Sequence, residues 1–130
     1  MPGPPSELRR GRQLSNRSSG AWGEELALRY LTQRGYVLIE RNYRTRYGEL
    51  DLILRDRDTL VFTEVKLRRG LGFGDPLEAV TPRKQASIRS MARQYLRDRR
   101  PGFFDTLRFD VVGIVLLGNA PRIVHVKDAF

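Results

Sequence analysis

Two carboxylates and a lysine stand at spacings that permit metal-assisted chemistry: Asp51 within Gly48-Glu49-Leu50-Asp51, and Glu64 and Lys66 within Glu64-Val65-Lys66. Alternate residues of an extended chain share a face, so Glu49 and Asp51 lie together on one strand and Glu64 and Lys66 on another. Asp56-Arg57-Asp58 between these runs is turn chemistry, which makes them the arms of an antiparallel hairpin. A loop with an even number of residues sets Asp51 opposite Glu64 and Glu49 opposite Lys66, all on one face, with opposed Cβ atoms ~4.5–5.5 Å apart. An odd loop or a bulge would break this facing. Two carboxylates so close repel, and each raises the other's pKa unless a cation sits between them. Hard oxygen ligands suit Mg²⁺ or Mn²⁺. A lysine beside such an ion can orient an attacking water or stabilise the charge on a phosphate. Acid–base pairs on exposed strand faces are common and contribute little. Against that reading, Leu60 and Phe62 share the face of Glu64 and Lys66 and place these charges at the edge of a core, where buried charge usually has a reason.

The elements that must position these groups follow from periodicity. Residues 20–34 read as a helix, with Ala21, Glu24, Ala27 or Leu28, and Leu31 at helical spacing and Gly35 as its stop. Glu24 falls on the apolar stripe of that helix, where a carboxylate is costly unless a cation or hydrogen bonds meet it, and it could complete the site. Glu25, off the stripe, is an ordinary surface carboxylate. Residues 36–43, 48–55 and 59–67 read as strands. In the second, Leu50, Leu52 and Leu54 alternate against Glu49, Asp51 and Ile53. A Gly-rich connection over 69–80 leads to a second helix opened by Thr81 as N-cap and Pro82 at its first position. Ile88, Met91, Ala92, Tyr95 and Leu96 form the apolar face of this helix, Arg89, Arg93 and Arg97 a basic stripe, and Pro101-Gly102 its end. Residues 107–117 form a nearly continuous apolar strand covered on both faces, and 122–127 a last strand. The order is that of an α/β domain with a mixed sheet and helices packed on it.

The chain has 130 residues, enough for one domain, and 40 % of them are hydrophobic, enough to bury a core. Without cysteine, disulfides, thiolate metal sites and thiol nucleophiles are excluded. No apolar run is long enough to span a bilayer, and the first ten residues lack the apolar segment of a signal peptide, so the expectation is a cytoplasmic protein with no membrane partner. The formal net charge is +9, which favours an anionic partner, most often nucleic acid. Three of these excess charges fall in residues 1–20 and the other six in 81–102. Residues 1–18, rich in Pro, Gly and Ser, read as a flexible basic arm, and 19–130 as the domain.

Several of these segments are recognisable together. Gly23-Glu24, Gly48 to Ile53, Phe62-Thr63-Glu64-Val65-Lys66-Leu67-Arg68, Thr81 to Gln85, Arg108 to Val112 and the ending His125 to Phe130 resemble the YraN-like family. That bacterial family is placed in the PD-(D/E)XK nuclease superfamily, close to archaeal Holliday-junction resolvases. The resemblance covers residue 18 to the end. It implies a restriction-endonuclease-like mixed β-sheet flanked by helices, and phosphodiester hydrolysis by in-line attack. It puts the superfamily pattern on Asp51 and Glu64-Val65-Lys66, and the helix glutamate of the resolvase-like branch on Glu24. By that resemblance Asp51 and Glu64 bind Mg²⁺ with the Val65 carbonyl as third ligand, and Lys66 positions or activates the water. Glu49 matches the family's Gly-Glu-Ile-Asp segment, with Leu50 in place of Ile, and Thr63 stands where an apolar residue is usual.

Around this centre, Lys84 and Gln85, at the N-terminus of the basic helix, are candidates for contact with substrate or with the inner carboxylates. Arg68, Arg69, Arg89, Arg93 and Arg97 are candidates to clamp backbone phosphates. Asp110 is expected to pair with Arg108, and His125 to be structural. The expected activity is that of a metal-dependent endonuclease acting on DNA, with branched DNA a candidate substrate, as a homodimer by analogy with resolvases. The alternative is a nucleic-acid-binding protein that keeps the fold without cleaving; a scaffold using only the basic surface is a third.

Overall fold

The structure, a computed structural model, describes residues 15–69 and 76–130. Helix α1 (Ser15–Gln33) begins five residues before its expected start, inside the stretch read as an arm; residues 1–14 of that stretch lie outside the described residues. It ends where Gly35 takes φ 94° and the Tyr36 N–H reaches back to the Leu31 carbonyl at 3.1 Å, a left-handed stop of the kind the glycine announced. Strands β1 (Val37–Thr45), β2 (Gly48–Asp56) and β3 (Thr59–Arg69) follow as an antiparallel meander. A short 3₁₀ turn (Pro76–Ala79) within the Gly-rich connection leads to α2 (Pro82–Arg99), which crosses over to β4 (Thr106–Leu117), parallel to β3; β5 (Ala120–Val126) returns antiparallel. The five strands lie in the order β1-β2-β3-β4-β5. This is a mixed α/β sheet with a helix on each face, consistent with a restriction-endonuclease-like fold. Among the described residues no helix is long and apolar enough to cross a membrane.

The start of α2 is as its residues predict. Thr81 Oγ1 accepts the Lys84 N–H at 3.2 Å, and Pro82 occupies the first helical position, where a missing N–H costs nothing. Its buried face, Ile88, Met91, Ala92 and Tyr95, packs on Ile53, Leu60 and Phe62. On the other side of the sheet Trp22, Leu26, Ala27 and Leu31 of α1 pack on Leu52, Leu54, Val61, Val112 and Ile114. Val111 joins the α2 core and Val112 the α1 core, so β4 is covered on both faces as its apolar run implies. Each Val, Leu, Ile, Phe or Met side chain among these contributes roughly 1.5–3 kcal/mol when fully buried.

The hairpin turn holds two residues, Arg57-Asp58, between the paired Asp56 and Thr59. The even loop therefore gives the expected register, which runs through Leu54↔Val61 to Leu52↔Thr63. There the ladder stops, one pair short of Asp51 and Glu64. The expected alternation of β2 fails at the same point. Leu52 and Leu54 pack under α1, but Leu50 packs with Tyr43 under α2. The neighbouring strand switches faces too: Arg41 reaches Glu25 of α1, whereas Tyr43, two residues on, bonds Asp98 of α2. Between them Asn42 has φ 56°, the left-handed region that asparagine tolerates better than most side chains. The sheet thus turns over locally at Asn42 and Asp51, and Glu49, Asp51, Glu64 and Lys66 do not form the flat four-residue patch that ideal alternation predicts.

Candidate functional site

The face switch gathers carboxylates from two elements. Glu24 of α1 and Glu49 and Asp51 of β2 present oxygen atoms that all lie within 4.8 Å of one another, a group that could hold a metal ion. Gly23, one residue before Glu24, lies against the sheet: a Cβ there would sit in ordinary contact, 3.7 Å from Ile114 Cδ1. Asn42 ties the group together, its Nδ2 donating to Glu24 Oε1 at 2.8 Å and to Glu49 Oε1 at 3.2 Å. Asp51 is fixed from the other side. The Val65 N–H, which a continued ladder would direct to β2's backbone, instead donates to Asp51 Oδ2 at 2.8 Å. One amide therefore anchors the carboxylate at the point where the strands part.

The electrostatics are those of a site short of positive charge. Burial, then the nearby Glu64 charge, push the Asp51 carboxyl up to about 8, with Glu24 and Glu49 adding to the rise and the Val65 N–H opposing it. Burial likewise raises Glu24, against the Asn42 hydrogen bond, and Glu49 adds to the rise. Like charges held this close are relieved by protons or by a cation. The donor set is entirely carboxylate oxygen, the chemistry of a hard divalent ion.

Glu64 stands beside this trio rather than within it. It is 6 % exposed, and its Oε2 lies 3.3 Å from Lys66 Nζ and 3.6 Å from Lys84 Nζ. Lys84 thus reaches the inner carboxylates from the start of α2, as its position suggested. Gln85 does not: its Nε2 donates to the Val80 carbonyl at 3.0 Å, and its side chain belongs to the helix start. Glu49 faces Asn42 and Arg44, whose Nε is 3.2 Å away, rather than Lys66. Arg93 and Arg97 are exposed on α2, but Arg89 is half-buried against the mutually stacked Phe109 and Phe130 rings, its guanidinium 5.6 and 5.2 Å from their centroids. Arg68 donates to the Leu67 carbonyl, and Arg69 is exposed at the end of β3.

Two site residues escape the sequence reading, Asn42 and Arg44. Asparagine is disfavoured inside strands, and Asn42 in Arg41-Asn42-Tyr43 is the signal that could have marked the irregularity. Asp110 and His125 behave as expected of structural groups. The fully buried Asp110 accepts from Arg108 Nε at 2.8 Å and from the Asp128 N–H at 3.0 Å, and pairs with His125 Nε2 at 2.8 Å. Burial alone would raise its pKa; these bonds outweigh it and hold the carboxyl below its ordinary value.

Comparison with known proteins finds the chain similar to members of one protein family. Residues 23–114 match the family described as "Uncharacterised protein family UPF0102". A UPF0102 protein of Syntrophomonas wolfei is 50 % identical over 115 residues, 88 % of this chain and 99 % of the relative. One from Rhodococcus jostii is 53 % identical over 116 residues, 88 % of this chain and 98 % of the relative. One from Bifidobacterium longum is 43 % identical over 121 residues, 92 % of this chain and 98 % of the relative.

Proposed function

The chain belongs to the uncharacterised protein family UPF0102, and from that premise we propose that it is a metal-dependent endonuclease hydrolysing phosphodiester bonds in DNA. The observation that carries this reading is the convergence of Glu24, Glu49 and Asp51 within 4.8 Å, directly beside the Glu64–Lys66 pair. A passive nucleic-acid binder has little use for an acidic cluster in a chain of net charge +9. The resemblance of Asp51 and Glu64-Val65-Lys66 to the PD-(D/E)XK pattern supports the same reading.

Glu24, Glu49 and Asp51 would hold Mg²⁺ or Mn²⁺, and Glu64 adds negative charge at their side. Such an ion, when bound, neutralises charge that develops on the phosphate during in-line attack. The protein's own groups do the rest. The Val65 N–H holds the Asp51 carboxylate in one orientation, and the Asn42 amide keeps Glu24 and Glu49 from swinging apart. Lys66, 22 % exposed and charge-paired to Glu64, is placed to orient a water or to donate to a phosphate oxygen. Lys84, 37 % exposed, adds a second ammonium on the solvent side of Glu64. Exposed Arg93 and Arg97 supply sequence-independent phosphate contacts.

The test incubates the protein with labelled duplex, single-stranded and four-way-junction DNA, with Mg²⁺ or Mn²⁺ and with chelator. Cleavage should require the metal, and Lys66→Ala should abolish it while salt-sensitive DNA binding persists. DNA binding without cleavage on every substrate would favour a non-catalytic binder; cleavage in chelator would contradict the reading.

A further inference from the structure

Tyr47, at the tip of the β1–β2 hairpin, is 67 % exposed, and its one ring contact among the described residues is the Arg46 guanidinium, 5.7 Å from its centroid. A large ring left in water contributes little to the fold and keeps its face open to a partner. Val37, Ile39 and Phe103 are also exposed, but Val37 and Ile39 lie at the far end of β1, and Phe103 in the loop after α2. Tyr47 is the one nearest along the chain to the carboxylates: it sits in the turn that opens β2, two residues before Glu49.

The backbone under Tyr47 is held in place. Thr45 Oγ1 accepts the Tyr47 N–H at 3.0 Å and donates to the Gly48 carbonyl at 3.1 Å. Gly48 has φ 141°, a conformation that strains any side chain, and Met91 of α2 packs beneath it, with Sδ and Cε each 3.6 Å from where a Cβ would stand. Arg44 on the same hairpin is bound to Glu49, which links the tip to the acidic group. Arg46 has no carboxylate partner among the described residues, so its charge is available to a phosphate. A flat aromatic face, an exposed guanidinium beside it and a pre-set turn are the parts of a stacking platform for single-stranded nucleic acid.

We infer that the hairpin tip is a base-stacking finger: Tyr47 takes the face of an unpaired nucleobase next to the scissile position while Arg46 meets the adjoining phosphate. In an intact duplex the base faces are stacked on one another and unavailable, so the finger selects DNA with an unpaired or branched strand near the cut. This inference rests on reading the carboxylate group as a nuclease centre.

Binding in chelator tests it without requiring hydrolysis. Fluorescence anisotropy compares a blunt duplex with the same duplex carrying a single-stranded flap, for wild type, Tyr47→Ala and Tyr47→Phe. Wild type should prefer the flap; Tyr47→Ala should lose about tenfold on the flap and little on the duplex, the loss of one stacked base; Tyr47→Phe should keep the preference. Flap affinity unchanged in Tyr47→Ala, or lost equally in Tyr47→Phe, overturns the finger. So does a change of sedimentation in Tyr47→Ala, which would make the tip a protein interface. Failure of the finger leaves metal-dependent cleavage intact, whereas failure of the nuclease reading leaves a Tyr47-dependent flap preference without cleavage.

Discussion

Asp51 is the residue on which the site's chemistry turns, because burial and three neighbouring carboxylates oppose its ionisation. Its folded value, about 8, lies above the ordinary 3.8, so between these values the folded chain keeps a proton that the unfolded chain gives up. The stability it contributes is therefore full below the ordinary carboxylate value and lost as pH rises through about 8. Metal-free protein should melt lower at about pH 9 than at about pH 6, and Asp51→Asn, neutral throughout, should flatten that slope. Added Mn²⁺ at the higher pH should raise the melting temperature of wild type and not of the variant, because the ion replaces the proton. A slope that persists in Asp51→Asn would place its origin elsewhere. Thr63 carries a second residue-scale prediction. Its Oγ1 is buried with no hydrogen-bond partner among the described residues, on the strand face opposite Glu64. A buried unmade hydrogen bond costs ~1–3 kcal/mol, so Thr63→Val should stabilise the fold by about 1 kcal/mol in chemical denaturation. Destabilisation would show that the hydroxyl has a partner.

At the scale of elements, the hairpin was legible and its break was not. The Arg57-Asp58 turn and the period of two in β3 set the register, because parity alone decides which residues oppose. The end of the ladder at Leu52 and the turnover at Asn42 are backbone events, and the alternation Leu50, Leu52, Leu54 gives no sign of them. The site's strand-borne carboxylates were therefore found, as were Lys66 and Lys84, which meet Glu64; the link from Glu49 to Glu24 through Asn42 was not. Glu24 was legible because a carboxylate on an apolar helix stripe needs a reason. The turn before α2 shows another limit. Gly113 of β4 pairs with Lys66 of β3, and a Cβ there would collide with the ring of Pro76. A glycine inside an apolar strand signals such close approach, but not by which segment. Gly113→Ala should push the Pro76–Ala79 turn outward, costing about 1–3 kcal/mol of stability. It should also loosen Lys84 from Glu64, since that turn leads into α2. A melting temperature equal to wild type would mean that the turn yields freely.

Across the whole molecule, the contrast is between a chain of net charge +9 and an acidic cluster where its central strands part. The two helices close both faces of the sheet, α1 bringing Glu24 and α2 bringing Lys84 to the place where β2 and β3 part. That arrangement, cations outside and carboxylates inside, is the one that the proposed metal-dependent phosphodiester hydrolysis requires. The measurement that bears on it most directly is the cleavage rate of a labelled branched DNA as Mn²⁺ is titrated, for wild type and Asp51→Asn in parallel. The rate should rise with Mn²⁺ and saturate for wild type, vanish in chelator, and be absent from the folded variant at every concentration. Equal rates for Asp51→Asn and wild type, or no cleavage by wild type at saturating Mn²⁺, would contradict the account.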